Sequence, residues 1–172
     1  MSRRGTSRRG LTLLELIIAS ALLTTVVAGV GVVLRGMHLA WLAHEEDSKR
    51  IQAAHATLRH IVRQCRQATA VTAITASADT AGSLSVTLAD GSTVVWARNA
   101  ATSEVDFGTG AATELLSEYV TELTFTGYEG DGVTATTTPG EIRSIQCQVR
   151  VDLPRETGGT RYIGSRVWLR SW

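Results

Sequence analysis

Proline is scarce in this 172-residue chain: there are two, and neither occurs before Pro139. Up to that point no ring fixes φ or removes a backbone donor, so a helix can run long. Cysteine is as scarce. Cys65 and Cys147 are 82 residues apart, and no CxxC or Cys/His metal spacing exists. The only framework available to them is one long-range bond. Net charge is also small, +1 from 17 bases and 16 acids, which excludes strong attraction of the whole chain to nucleic acid or acidic substrates.

Motifs of catalysis are missing too. There is no GxSxG, HExxH or P-loop, and the serines and aspartates form no recognisable nucleophile–base set. No catalytic site and no cofactor is expected. Glu118 and Glu122 read as exposed acids flanking a strand start. His38, His44, His55 and His60 are separated by gaps of 6, 11 and 5, not by the i,i+4 step of a helical metal pair. They read as solvated or interface side chains.

What is present begins with an asymmetry of charge. Arg3, Arg4, Arg8 and Arg9 all precede Leu11; without residues 1–10 the chain has 13 bases against 16 acids, a net of −3. From Leu11 to Leu34 follow 24 residues with a single charge, Glu15. At about 1.5 Å per residue such a helix spans a hydrocarbon core of about 30 Å. Arg35 ends the run, and Trp41 lies just beyond, where aromatic rings favour the membrane interface. The basic head predicts a cytoplasmic N-terminus, with the rest of the chain outside.

An ordinary secretion signal competes with this reading, since Ala19-Ser20-Ala21 is an A-x-A site. Ser7-Arg8-Arg9-Gly10-Leu11 also resembles a twin-arginine signal. Both meet the same objection: the apolar run continues well past the cut.

Glu15 separates the readings further. A carboxylate in an apolar span is costly unless it reaches the interface or finds a partner. Snorkelling by a tolerated acid is one explanation. The other is a positive partner. A cut between Gly10 and Leu11 gives Leu11 a new α-amino group and makes Glu15 the fifth residue of the mature chain. A neighbouring subunit's amine could then pair with this carboxylate.

Arg8-Arg9-Gly10-Leu11-Thr12-Leu13-Leu14-Glu15 resembles the leader of type IV pilins and pseudopilins. The resemblance implies cleavage after Gly10 by a prepilin peptidase, N-methylation of Leu11, and an assembly role for Glu15. Leu11 stands where the family usually has phenylalanine or methionine. Residues 115–172 are similar in order to J-type minor pseudopilins of type II secretion and to PilW-like minor pilins. Leu115-Leu116-Ser117-Glu118-Tyr119-Val120-Thr121-Glu122-Leu123-Thr124-Phe125 precedes an acidic glycine loop and two closing strands that end in Ser165-Arg166-Val167-Trp168-Leu169-Arg170. This implies a minor subunit that helps initiate a filament at its tip. Its partners would be prepilin peptidase, other minor and major subunits, an inner-membrane assembly platform, and membrane lipid before assembly. No nucleic acid is expected. The alternative is a membrane-anchored extracytoplasmic binding module that does not polymerise.

The expected fold is α+β. One helix runs from about Leu11 to Ala68, bent or loosened near Gly29, Gly31 and Gly36. Ile51, Ala54, Leu58, Ile61, Val62, Cys65 and Ala68 form one helical stripe. Glu45–Lys49 and Glu46–Arg50 are i,i+4 pairs in the better orientation. Residues 69–82 read as a connection. Leu84, Val86 and Leu88 alternate with polar residues, and Asp90-Gly91 turns them into Thr93–Trp96 as a hairpin. Leu115–Tyr119 reads as a short helical turn. Leu123 and Phe125 begin a strand, Ile145 to Leu153 alternate over a long one, and Ile163, Ser165, Val167 and Leu169 share one face of the last. The expected division is a leader at 1–10, a transmembrane half-helix at 11–35, an amphipathic half at 36–68, and an antiparallel sheet domain at 69–172.

Cys65 on the helical stripe and Cys147 on the apolar side of its strand should face one core. They either form a disulfide outside the cytoplasm or remain two buried thiols. Glu129-Gly130-Asp131-Gly132 raises the question of calcium, which some pseudopilins bind. It lacks the ligand count of a calcium loop, and an ordinary turn is the better reading.

Overall fold

A computed structural model describes residues 12–154 and 159–170. Residues up to Leu42 and from Ala43 onward form two compact units. The architecture is α+β and pilin-like: a long, apolar N-terminal helix whose later turns pack on antiparallel sheets.

Helix α1 is Leu13–Cys65, 53 residues. It passes Gly29, Gly31 and Gly36 without a break, so the loosening expected there does not interrupt it. No proline interrupts the run, and its continuous i→i−4 bonding outweighs the ~1 kcal/mol that each glycine costs a helix. The helix ends three residues before the expected Ala68. Arg66 N–H still donates to the Val62 carbonyl at 3.0 Å, and Gln67 N–H then tightens onto Gln64 at 2.9 Å.

Past Ala43 the helix buries one stripe. Ala54, Leu58, Ile61 and Cys65 are in the core, with Ile51 and Val62 half-buried beside it. A fully buried side chain such as Ile61 contributes about 1.5–3 kcal/mol. On the wet side Lys49 pairs with Glu45 at 2.8 Å. Arg50 instead donates to the Asp152 carbonyl at 3.0 Å and lies 5.0 Å over the Tyr119 ring.

Two sheets take the place of the single expected one. The first has five strands in chain order: β1 Ala68–Ile74, β2 Ser83–Leu88, β3 Thr93–Asn99, β4 Glu104–Thr109 and β5 Glu114–Ser117. The second has four in the order β7-β6-β8-β9: β6 Glu122–Tyr128, β7 Ala135–Thr136, β8 Ser144–Leu153 and β9 Gly159–Trp168. All ladders are antiparallel. The β2–β3 hairpin turns at Asp90-Gly91 as expected, with Gly91 at φ 84°. Core residues Leu84, Val86, Trp96, Phe125, Ile145, Cys147, Val149 and Val167 come from both sheets and follow the period of two.

Two local expectations are corrected. Residues 68–74 are a strand, not part of a connection. Register shifts between Ala68 and Ala70 and between Val71 and Ala73 space its buried residues by three, which hides the strand's period. Leu115–Tyr119 is not helical. Glu114–Ser117 pair with the free edge of β4, and Tyr119 then sits at φ 67°. A ladder partner supplied by the fold overrides the helical propensity of two leucines.

Candidate functional site

Among its described residues, the unit that ends at Leu42 is helical from Leu13 onward and buries no side chain. Every large apolar side chain on it is exposed, from Leu13 at 79% to Leu42 at 45%. The helix is long and apolar enough to cross a membrane. Leu13 to Leu34 rises about 33 Å, against about 30 Å of hydrocarbon.

Three of its hydroxyls are bonded to its own backbone. Ser20 donates to the Ile17 carbonyl at 2.9 Å, Thr24 to Ser20 at 2.7 Å and Thr25 to Leu22 at 2.8 Å. Hydroxyls bonded this way cross lipid without an unpaired donor. Glu15 is left as the one charged group between Thr12 and Leu34.

The start of the helix gives Glu15 a local setting. Its backbone N–H donates to Thr12 Oγ1 at 3.3 Å, and Leu16 N–H donates to the Thr12 carbonyl at 3.2 Å. Thr12 is therefore the N-cap, and Thr12-Leu13-Leu14-Glu15 has the spacing of a capping box. The helix dipole also favours a carboxylate in this first turn. Thr-x-x-Glu ahead of an apolar run is the visible signal of this cap in the sequence. Gly10 and Leu11, the expected cleavage and methylation positions, lie outside the described residues.

A Cβ built on Gly29, Gly31 or Gly36 would meet nothing within 4 Å. No contact among the described residues requires glycine there. Each is a notch on the helix surface.

In the unit from Ala43 onward, Cys65 and Cys147 are both free thiols buried in one core. Burial pushes the Cys65 thiol up to about 12. It raises Cys147 as well, with a smaller contribution from Cys65. Neither is a nucleophile at neutral pH. His60 accepts a hydrogen bond from Trp96, while His38, His44 and His55 are exposed. No group of three or more His, Cys, Asp or Glu side chains gathers among the described residues. Asp131 closes its own loop, accepting from the Val133 and Thr134 N–H groups at 2.9 Å and from the Thr134 hydroxyl. Those bonds hold its carboxyl below the usual range. A cleft of about 460 Å³ lies beside Gln67, Asp90 and Arg170.

Compared with models of known protein families, with curated proteins and with solved structures, the chain matches none.

Proposed function

We propose that this protein is a minor pilin or pseudopilin, a structural subunit of a type II secretion pseudopilus or a type IV pilus, and not an enzyme. The observation that carries the reading is the helix surface from Leu13 to Leu34. It is apolar on every side, its hydroxyls are internally bonded, and Glu15 is its one charge, placed in the first turn. Such a surface suits lipid first and other helices of its kind afterwards. Gly29 and Gly31 add notches that permit close helix approach.

On this reading prepilin peptidase cuts after Gly10 and Leu11 is methylated. The protein then resides in the inner membrane as a single-pass subunit, its N-terminus cytoplasmic and its sheets extracytoplasmic. Glu15 pairs with the N-terminal amine of a neighbour, which sets register as the helix leaves lipid for a filament. Other subunits and the inner-membrane assembly platform are its partners. The similarity of residues 115–172 to J-type and PilW-like subunits supports a place at the tip.

Mass spectrometry of the mature N-terminus tests the reading. A methylated Leu11 is expected. An intact Met1, or an N-terminus beyond Ala21, would overturn it. Glu15→Ala should leave membrane insertion intact and impair co-assembly; normal co-assembly removes the pairing role. A non-polymerising anchored module would keep its leader or show no subunit partners.

A further inference from the structure

The later turns of α1 carry charge of one sign only. No acid occurs between Ile51 and Ala78, a stretch that holds Arg59, Arg63 and Arg66. Steps of four and three put these arginines within about 60° of arc on one face of the helix. All three are exposed, on the side away from the buried stripe Ala54, Leu58, Ile61 and Cys65. None of them has an ion pair among the described residues. Earlier turns are arranged otherwise: Lys49 takes Glu45 at 2.8 Å, and Glu46 lies beside Lys49 and Arg50. Acids on neighbouring elements do not answer the arginines. Asp90 accepts from the Ser92 N–H at 2.9 Å and from its hydroxyl at 2.6 Å, and Glu114, opposite Phe107, has no ion pair among the described residues.

Beside this stripe the helix and β9 leave a cleft of about 260 Å³. His55 and Arg59 border it from the helix, Leu58, Val62 and Ile163 make it apolar, and Gly164 adds no side chain. The exposed side of the helix is therefore cationic, with an apolar seam next to it.

Like charges one turn apart repel, so a line of arginines with no acid between them weakens the helix taken alone. A face built only for water alternates its signs, as Glu45 and Lys49 do. One sign in a line fits an outside partner of the other sign. Three cations are few beside the roughly 6–10 phosphate contacts of a strongly salt-dependent DNA binder. Without residues 1–10 the chain's net charge of −3 also opposes a polyanion. A helix with carboxylates at steps of three and four presents a matching line, and each guanidinium can hold one carboxylate by two parallel bonds. This chain's own helix offers no such line, since Glu45 and Glu46 stand among Lys49 and Arg50. We infer that Arg59, Arg63 and Arg66, with the cleft beside them, dock the acidic face of a helix from a different subunit of the same assembly. An apolar side chain next to the partner's carboxylates fills the cleft at Leu58, Val62 and Ile163. The inference rests on the assembly reading above and names a surface that reading leaves open.

The test uses the full chain in its native membranes, with the photo-cross-linker p-benzoylphenylalanine in place of Ala56, an exposed position one turn from Arg59. Illumination should give an adduct with another chain that has its own N-terminal apolar helix. Peptide mapping should place it on a helical stretch with two or more acids at steps of three or four. Its yield should fall as salt rises from about 50 to 500 mM, because exposed charges are screened. Arg59→Glu with Arg63→Glu should lower the yield about tenfold, the scale of two exposed ion pairs lost together. Reversing the mapped acids to lysine in the partner should restore it. No adduct, a yield indifferent to salt and to charge reversal, or an adduct with a second copy, with nucleic acid or with a chain lacking such a helix would overturn the proposal. The mature N-terminus is read on the same sample. A methylated Leu11 without the adduct removes this contact and leaves the assembly function. The adduct on a chain with an intact leader removes that function and leaves the contact.

Discussion

The indole Nε1 of Trp96 donates to His60 Nδ1 at 3.1 Å, so a buried tryptophan on β3 is bonded to an imidazole on α1. The His60 ring also meets Phe107 of β4 edge-on. The bond requires an unprotonated Nδ1, and hence the neutral ring with its proton on Nε2.

Acid should therefore loosen this joint. Burial holds His60 below its ordinary 6.5, and Arg63 on the same helix adds to the shift. The unfolded chain then binds the proton more readily than the folded one, so stability rises with pH across this window. It is complete above 6.5 and lost as pH falls from 6.5 towards the folded value. Thermal melts between pH 8 and 5 should show a decline in the wild type. His60→Gln keeps an acceptor for Trp96 and does not titrate, so its curve should be flatter. Equal slopes would refute the link.

The two thiols should be present but protected. Alkylation of the folded protein at pH 8 should be slow at both Cys65 and Cys147, because burial raises both and denies access. Unfolding without reductant should expose both thiols. If neither then reacts, the two are joined by a bond.

Thr57 and Ser117 share a buried hydroxyl pair at 2.6 Å, and Thr57 also donates to the Ala53 carbonyl at 2.9 Å. Thr57→Val should lower stability by about 1–3 kcal/mol by leaving the Ser117 hydroxyl unpaired. Adding Ser117→Ala should recover part of the loss. Denaturant midpoints of the single and double variants decide it.

Glycines in the two units should behave differently. A Cβ on Gly82 would lie 2.5 Å from the Leu123 carbonyl oxygen, where β2 meets β6. Gly82→Ala should cost about 1–3 kcal/mol through backbone displacement. Gly29→Ala meets nothing within 4 Å and should leave the melting of the sheets unchanged. A similar loss at both positions would show that the notch at Gly29 is filled from within the chain.

Much of the fold was legible because its signals are local. The helical stripe from Ala54 to Cys65 lies in the core as the spacing required. The alternation in β2, β8 and β9 predicted their buried faces. Strand β1 was missed because register shifts break its period of two. Strand β4 was missed because only Val105 and Phe107 mark its apolar side, too short an alternation to signal a strand. Strand β5 was misread because Leu115-Leu116 favours a helix until β4 offers an edge.

The sequence by itself determined the apolar span, its lone acid and the periods of its helix and clearest strands. Each depends only on neighbours a few residues apart. Only the tertiary structure decided that there are two sheets, that His60 accepts a hydrogen bond from Trp96, and that Thr57 meets Ser117. Those relationships join residues far apart in the chain, and no local pattern encodes which side chains the fold will bring together.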